Sequence, residues 1–179
     1  MRSMKSRDMC LIALMAAVMA ILAPLSIPVG EVPITLGTLV VCLMGAILGA
    51  KKGTLAVCLY LLMGVAGLPV FASGRSGIQT LFGLTGGFII GYIPLAALTG
   101  LGISLGKKKY ASYPLSMIVG TFACYSAGVT WFIIQNPCPV LHALQICVFP
   151  FMGVDICKIA AASVLAVSVQ KRIRYLPEG

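Results

Sequence analysis

Long apolar runs, broken by short polar or glycine- and proline-bearing stretches, set the pattern of this chain. The first run, Met9–Ala23, follows Arg2, Lys5 and Arg7 and ends at Pro24. Leu25–Pro33 carries prolines, a glycine and Glu31 and reads as a loop. Spans are predicted over Ile34–Ala50 and Thr54–Leu68, with a tight turn at Lys51-Lys52-Gly53 between them. Pro69–Gly77 is a glycine-containing loop that holds Arg75. A fourth span lies within Ile78–Leu105, irregular or kinked by its glycines and Pro94, which neighbouring helices make tolerable inside a membrane. Lys107-Lys108-Lys109 ends it, and Pro114–Ile134 is the fifth span. Asn136-Pro137-Cys138-Pro139 then breaks the chain, and Val140–Phe149 reads as a short interfacial helix. Pro150 and Gly153 precede a sixth span, Val154–Val169, closed by Lys171, Arg172 and Arg174.

A membrane-crossing helix needs about 20 apolar residues. A chain of 179 residues accommodates six of them with short loops and leaves no room for a separate soluble domain. The expected fold is all-α: a single integral membrane domain over residues 1–179 with six transmembrane helices. Composition agrees, because 60% of residues are apolar and 9% charged, against roughly a quarter charged in soluble domains. The first run resembles a secretory signal peptide in length, but no clean small-residue cleavage site follows it, so it is read as a span.

The net charge of +9 does not point to nucleic acid, since the basic residues cluster between apolar runs and not along one amphipathic face. With the amino terminus inside, the inside segments hold Arg2, Lys5, Arg7, Lys51, Lys52, Lys107, Lys108, Lys109, Lys171, Arg172 and Arg174, eleven of the thirteen basic residues. Only Arg75 falls in an outside loop, and Lys158 lies in a span. That asymmetry places both termini in the cytoplasm, in a multi-pass protein of the cell membrane.

Candidate chemistry is sparse. The seven cysteines form no CxxC pair and mostly lie in apolar runs, where Cys packs as a small hydrophobe. No metal site or cofactor is expected. Leu101–Lys108 mimics a P-loop, but Leu101 and Lys108 stand where that motif needs Gly and Ser/Thr. His142 is the only histidine, so hydrolytic catalysis has little to work with, and no enzyme is expected.

Asp155 and Lys158 stand out. Three residues apart, they share a helix face. Intramembrane charges cost about 2.5–3.5 kcal/mol each on insertion scales and mark functional sites by default. The bland alternative is an ion pair that satisfies only itself. Arg75, beside Gly74 and Gly77 and on the same side as Asp155, could grip a carboxylate or carbonyl oxygen with its guanidinium. On the first helix Ala13-x-x-x-Ala17 and Ala16-x-x-x-Ala20 form a smooth stripe, suited either to internal packing or to docking another membrane subunit.

Four stretches, in order, carry a resemblance: Val32-Pro33-Ile34-Thr35-Leu36; Gly67-Leu68-Pro69-Val70-Phe71-Ala72-Ser73-Gly74; Leu84-Thr85-Gly86-Gly87-Phe88-Ile89-Ile90-Gly91-Tyr92; and Pro150–Lys158 with its Asp-x-x-Lys. Together they look like the biotin-specific S components of energy-coupling-factor transporters, the BioY family. The chain departs from the family pattern at Leu84, where a proline is usual, at Gly37, where a glutamine is usual, and at Arg75, whose loop position often holds a smaller or uncharged residue. The resemblance also implies a prokaryotic cell membrane. The resemblance implies a six-helix fold with a ligand cavity near the outer face. It implies biotin binding there, and partnership with a transmembrane coupling subunit and two ATP-binding-cassette ATPases. It also implies that the stripe Ala13, Ala16, Ala17, Ala20 is the docking face for the coupling subunit. Asp155, Lys158 and Arg75 would then meet the vitamin's polar ends, with Thr35, Thr85 and Phe71 enclosing the rest. The competing readings are an S component for another vitamin, a solitary carrier of biotin, for which no internal repeat is found, and an intramembrane enzyme.

Overall fold

The computed structural model describes residues 6–28, 32–106 and 110–174, the side chains of 172–174 excepted. Among the basic residues counted above, Arg2, Lys5 and Lys107–Lys109 lie outside the described residues, as does Glu31.

Among the described residues the chain is all-α apart from one hairpin of two-residue strands. Helix α1 (Ser6–Leu22) leads into strands β1 (Ser26–Ile27) and β2 (Ile34–Thr35), which pair antiparallel with Ser26 opposite Thr35. Then follow α2 (Gly37–Val65), a 3-10 turn at Ala72–Gly74, α3 (Ile78–Phe82), α4 (Gly86–Leu105), α5 (Ser112–Gln135), α6 (Val140–Cys147) and α7 (Phe149–Arg174). By length and composition, α2, α4, α5 and α7 can each cross a membrane. Exposed Leu, Ile, Val and Phe side chains, such as Leu62, Phe122, Ile156 and Val164, are what a lipid-facing surface requires.

Several boundaries differ from the sequence reading. The break between the second and third runs lies at Gly49, not at Lys51-Lys52-Gly53. Gly49 adopts φ 77°, ψ 174°, a conformation that L side chains rarely reach, and Lys51 and Lys52 are already helical. The chain reverses there. A Cβ on Gly53 would stand 2.8 Å from the Met44 carbonyl oxygen and 3.1 Å from Gly45 Cα, which is impossible for residues nine and eight apart in one straight helix. Element α2 is therefore two antiparallel arms. The irregularity expected within Ile78–Leu105 falls at its glycines, at Gly83–Thr85 between α3 and α4, while α4 continues through Pro94. Pro150 and Gly153 do not precede the last helix but belong to its start. A proline in a first turn lacks only an N–H that has no helical partner there anyway. The Leu25–Pro33 loop includes β1.

Helix α4 packs chiefly on α2 and α5, and α2 also carries α1 and α7. The main core runs along these contacts through Val40, Met44, Tyr60, Leu95, Met117 and Ala162. A smaller cluster, centred on Phe132, Ala143, Cys147 and Phe151, ties α5, α6 and α7 together beside Val32.

The two ends of the bundle differ. One end gathers the start of α1, the Gly49 break, the start of α5 and the close of α7. There Lys52 pairs with Asp8 at 2.6 Å, Tyr113 donates to Gln170 Oε1 at 2.7 Å, Gln170 Nε2 donates to the Ala46 carbonyl, and the Lys171 ammonium sits over the Tyr110 ring. The hairpin, the loop through Arg75, the α3–α4 break and α6 collect at the other end.

Candidate functional site

The inward face of α7 reads Phe151, Asp155, Lys158, Ala162, Ala166, a stripe of buried residues at helical spacing. The last two pack against other helices. The first three face a hollow between α2, α4, α5 and α7, toward the end with the hairpin. Asp155 and Lys158 are only 5% and 8% exposed.

Burial on this scale requires partners. Lys158 Nζ donates to Asp155 Oδ1 at 2.8 Å and to Thr38 Oγ1 at 3.2 Å. Thr38 closes the triangle with a longer contact to Asp155 Oδ1 at 3.4 Å. Tyr125, from α5, donates a short hydrogen bond to Asp155 Oδ2. Three helices thus converge on one carboxylate. The pair is not tied only to itself, and all four residues line the hollow. An ammonium has three donors and a carboxylate about four acceptor directions, so both groups retain hydrogen-bonding capacity.

The rest of the wall is mostly apolar, including Phe88, Ile89 and Phe151, with Thr35, Thr85 and Tyr92 among its polar members. Thr35 Oγ1 accepts the Gly37 N–H at 3.1 Å and lies 3.4 Å from the Tyr92 hydroxyl, so it joins the start of α2 to α4. The hollow holds about 640 Å³ of empty space, counted with the solvent at its opening. An apolar lining with a few convergent polar groups is the general character of a small-molecule site.

Outside it lies an open vestibule lined by Gly74, Arg75, Ser76, Gln79, Thr80, Gly83 and Thr85. Arg75, Thr80 and Thr85 border both spaces. Arg75 is exposed, and among the described residues it forms no ion pair.

Of the residues singled out in the sequence, Asp155, Lys158, Arg75, Thr35 and Thr85 are thus brought together around the hollow. Phe71 is not. It is fully buried, stacked edge-on against Tyr60 with ring centroids 5.7 Å apart. A Cβ on Gly64 would stand 2.1 Å from its ring. Phe71 pins the loop that carries Ala72 and Arg75, an effect reinforced by the Tyr60 hydroxyl donating to the Val70 carbonyl at 2.9 Å. The alanine stripe divides: Ala16 is fully buried and Ala20 packs against the core, while Ala13 and Ala17 are exposed.

Sequence reasoning missed Thr38, Tyr92, Tyr125 and Trp131. The only tryptophan, Trp131 donates its indole N–H to the Gly83 carbonyl at 3.0 Å, and Gln135 donates to the Phe82 carbonyl, so α5 caps the open end of the α3–α4 break beside Thr85. A tyrosine inside a predicted span, such as Tyr125, is the one available signal, because its hydroxyl must find a partner in lipid.

The family model described as "BioY family" matches residues 1–175. The chain is 35% identical over 175 residues to "Biotin transporter BioY2" of Lactococcus lactis subsp. cremoris (strain MG1363), covering 98% of this chain and 96% of that protein. It is 36% identical over 167 residues to "Biotin transporter BioY" of Thermotoga maritima, covering 92% and 96%. A crystal structure described as "the S-component for biotin from an ECF-type ABC transporter" superposes with a TM-score of 0.88 at 26% identity, over 94% of this chain and 95% of that one.

Proposed function

This chain belongs to the BioY family, and from that premise we propose that it is the biotin-binding S component of an energy-coupling-factor importer. It is a transport protein, not an enzyme. The observation that carries the ligand assignment is a buried acceptor–donor pair, Asp155 and Lys158, in the wall of an otherwise largely apolar hollow.

Biotin presents a ureido edge in which an N–H stands beside a carbonyl, an apolar bicycle and chain, and a carboxylate. Asp155 offers an acceptor and Lys158 a donor side by side, which complements that edge. Because the two charges offset each other, the inner wall has little net attraction for an anion. Arg75 at the mouth, without a carboxylate partner among the described residues, supplies it. The ureido ring therefore goes inward, the apolar bicycle lies against Phe88, Ile89 and Phe151, and the vitamin's carboxylate points out to Arg75.

The membrane placement follows from the same frame. Six crossings are supported by Gly49, which divides α2 into two arms; α1, α4, α5 and α7 would supply the other four. An even number puts both termini on one side, the distribution of basic residues supports the cytoplasm as that side, and the prokaryotic relatives support a cell membrane. The vestibule with Arg75 then opens outward. Energy comes from partners, a transmembrane coupling subunit and two ATPases, and the exposed part of the α1 stripe, Ala13 and Ala17, is where the coupling subunit packs closely.

Identification by mass spectrometry of the small molecule that co-purifies with the protein tests this reading. Biotin at near one-to-one stoichiometry is expected, and a different vitamin in that position would replace the ligand assignment. Ala17→Leu should leave biotin binding intact and abolish assembly with the coupling subunit; unimpaired assembly would remove α1 as the docking face.

A further inference from the structure

The carboxylate of Asp155 is held unevenly. Its Oδ1 takes both the Lys158 ammonium at 2.8 Å and the longer Thr38 contact. Among the described residues its Oδ2 takes only the Tyr125 hydroxyl. The oxygen with the greater remaining acceptor capacity is thus the one beside Tyr125, and Tyr125 itself lines the hollow. A phenol bound to a carboxylate donates its single hydrogen. It fixes the carboxylate plane without neutralising the charge, whereas a second cation there would use up the acceptor.

Resting on the reading of this hollow as the ureido site, we propose that Tyr125 is a specificity-determining residue, whose hydroxyl orients Asp155 Oδ2 so that the site selects ligands presenting an N–H and rejects shape-alike ligands that lack it. Selection of this type is steep because a ligand without the N–H leaves a buried carboxylate oxygen short of a partner. The residue acts through Asp155 and is a positioning residue for it.

A staple between helices would use the same bond, so the competing role has to be separable. The structure supplies the control. Helices α5 and α7 are joined by a second tyrosine at the opposite end of the bundle, where Tyr113 donates to Gln170 at 2.7 Å, remote from the hollow. Tyr125→Phe and Tyr113→Phe each delete one hydroxyl from one α5–α7 contact, and only the first lies at the site.

The experiment measures the affinities of purified wild type, Tyr125→Phe and Tyr113→Phe for biotin and for two analogues methylated on one or the other ureido nitrogen, together with thermal stability. Tyr125→Phe is expected to weaken biotin about tenfold and to reduce the preference for biotin over one of the N-methyl analogues by a similar factor. Tyr113→Phe should lower thermal stability and leave both affinity and preference unchanged. If Tyr125→Phe leaves biotin affinity unchanged, or weakens biotin and both analogues in equal proportion, the specificity role is overturned. Should wild type itself fail to bind biotin, the functional reading falls, a result distinct from either of those. Tyr125→Asn, a second variant that retains a donor, keeps the test decisive if Tyr125→Phe folds poorly: the preference should fall there too, because the shorter side chain cannot reach Oδ2.

Discussion

The two ends of this bundle place polar groups between the same helices and use them differently. At the end where α1 begins and α7 closes, each partner is satisfied: Tyr113 with Gln170, Gln170 with the Ala46 carbonyl, Asp8 with Lys52. At the other end, Asp155, Lys158, Thr38 and Tyr125 also meet across α2, α5 and α7, but beside a hollow and with hydrogen-bonding capacity left over. Helix association in lipid has no hydrophobic driving force between helices and relies on packing and interhelical hydrogen bonds. The closed contacts do that work. A buried polar cluster is therefore no site by itself; it becomes one where the protein leaves space next to groups that a ligand can still complete.

This contrast can be broken or sharpened by substitution. The largest effect is expected from Lys158→Ala, which strands Asp155 as a buried charge without its cation. Removing one partner of a buried pair is destabilising by about 3–5 kcal/mol, so biotin affinity should fall by well over tenfold and thermal stability should fall with it. An unchanged affinity would reduce the pair to a structural element like those at the other end. Arg75→Ala comes next. Arg75 is exposed and unpaired among the described residues, so stability should hold while biotin affinity falls by about tenfold, the value of one charge-assisted hydrogen bond. The amide of biotin, which lacks the carboxylate, should bind wild type and Arg75→Ala alike; loss of amide binding in Arg75→Ala would reverse the proposed orientation. The smallest effect on the ligand belongs to Gln170→Leu. It leaves the Tyr113 hydroxyl and the Ala46 carbonyl without their partner, so thermal unfolding should shift down by several degrees while biotin titrations overlay those of wild type. A lost affinity there would mean that the two ends are coupled.

The contrast also marks what the amino-acid order made legible. Asp155 and Lys158 were visible because charge in an apolar run has few explanations, and α5 and α6 were bounded closely by the prolines of Asn136–Pro139. Gly49 was not visible, because it is one of twenty glycines and the adjacent Lys51-Lys52 is the more conspicuous mark of a membrane edge. Its positive φ inside an otherwise helical segment is what marks it. A motif-bearing loop suggests a place at the ligand for Phe71; the absence of a side chain on Gly64, seven residues away, admits its ring to the core instead. The spacing of the alanines suggests one stripe, whereas a turn of about 100° per residue puts Ala16 and Ala17 on different faces. Thr38 and Tyr125 carry no local signal that links them to α7. Their role arises from contacts separated by 117 and 30 residues, which spacing within one helix cannot reveal.

Calorimetric titration of biotin into purified Asp155→Asn, beside wild type and Gln170→Leu, tests the central claim most directly. The amide keeps the shape but replaces one acceptor oxygen with a donor, so the account predicts that Asp155→Asn loses well over tenfold in affinity while Gln170→Leu retains the wild-type value. Wild-type affinity in Asp155→Asn would contradict it.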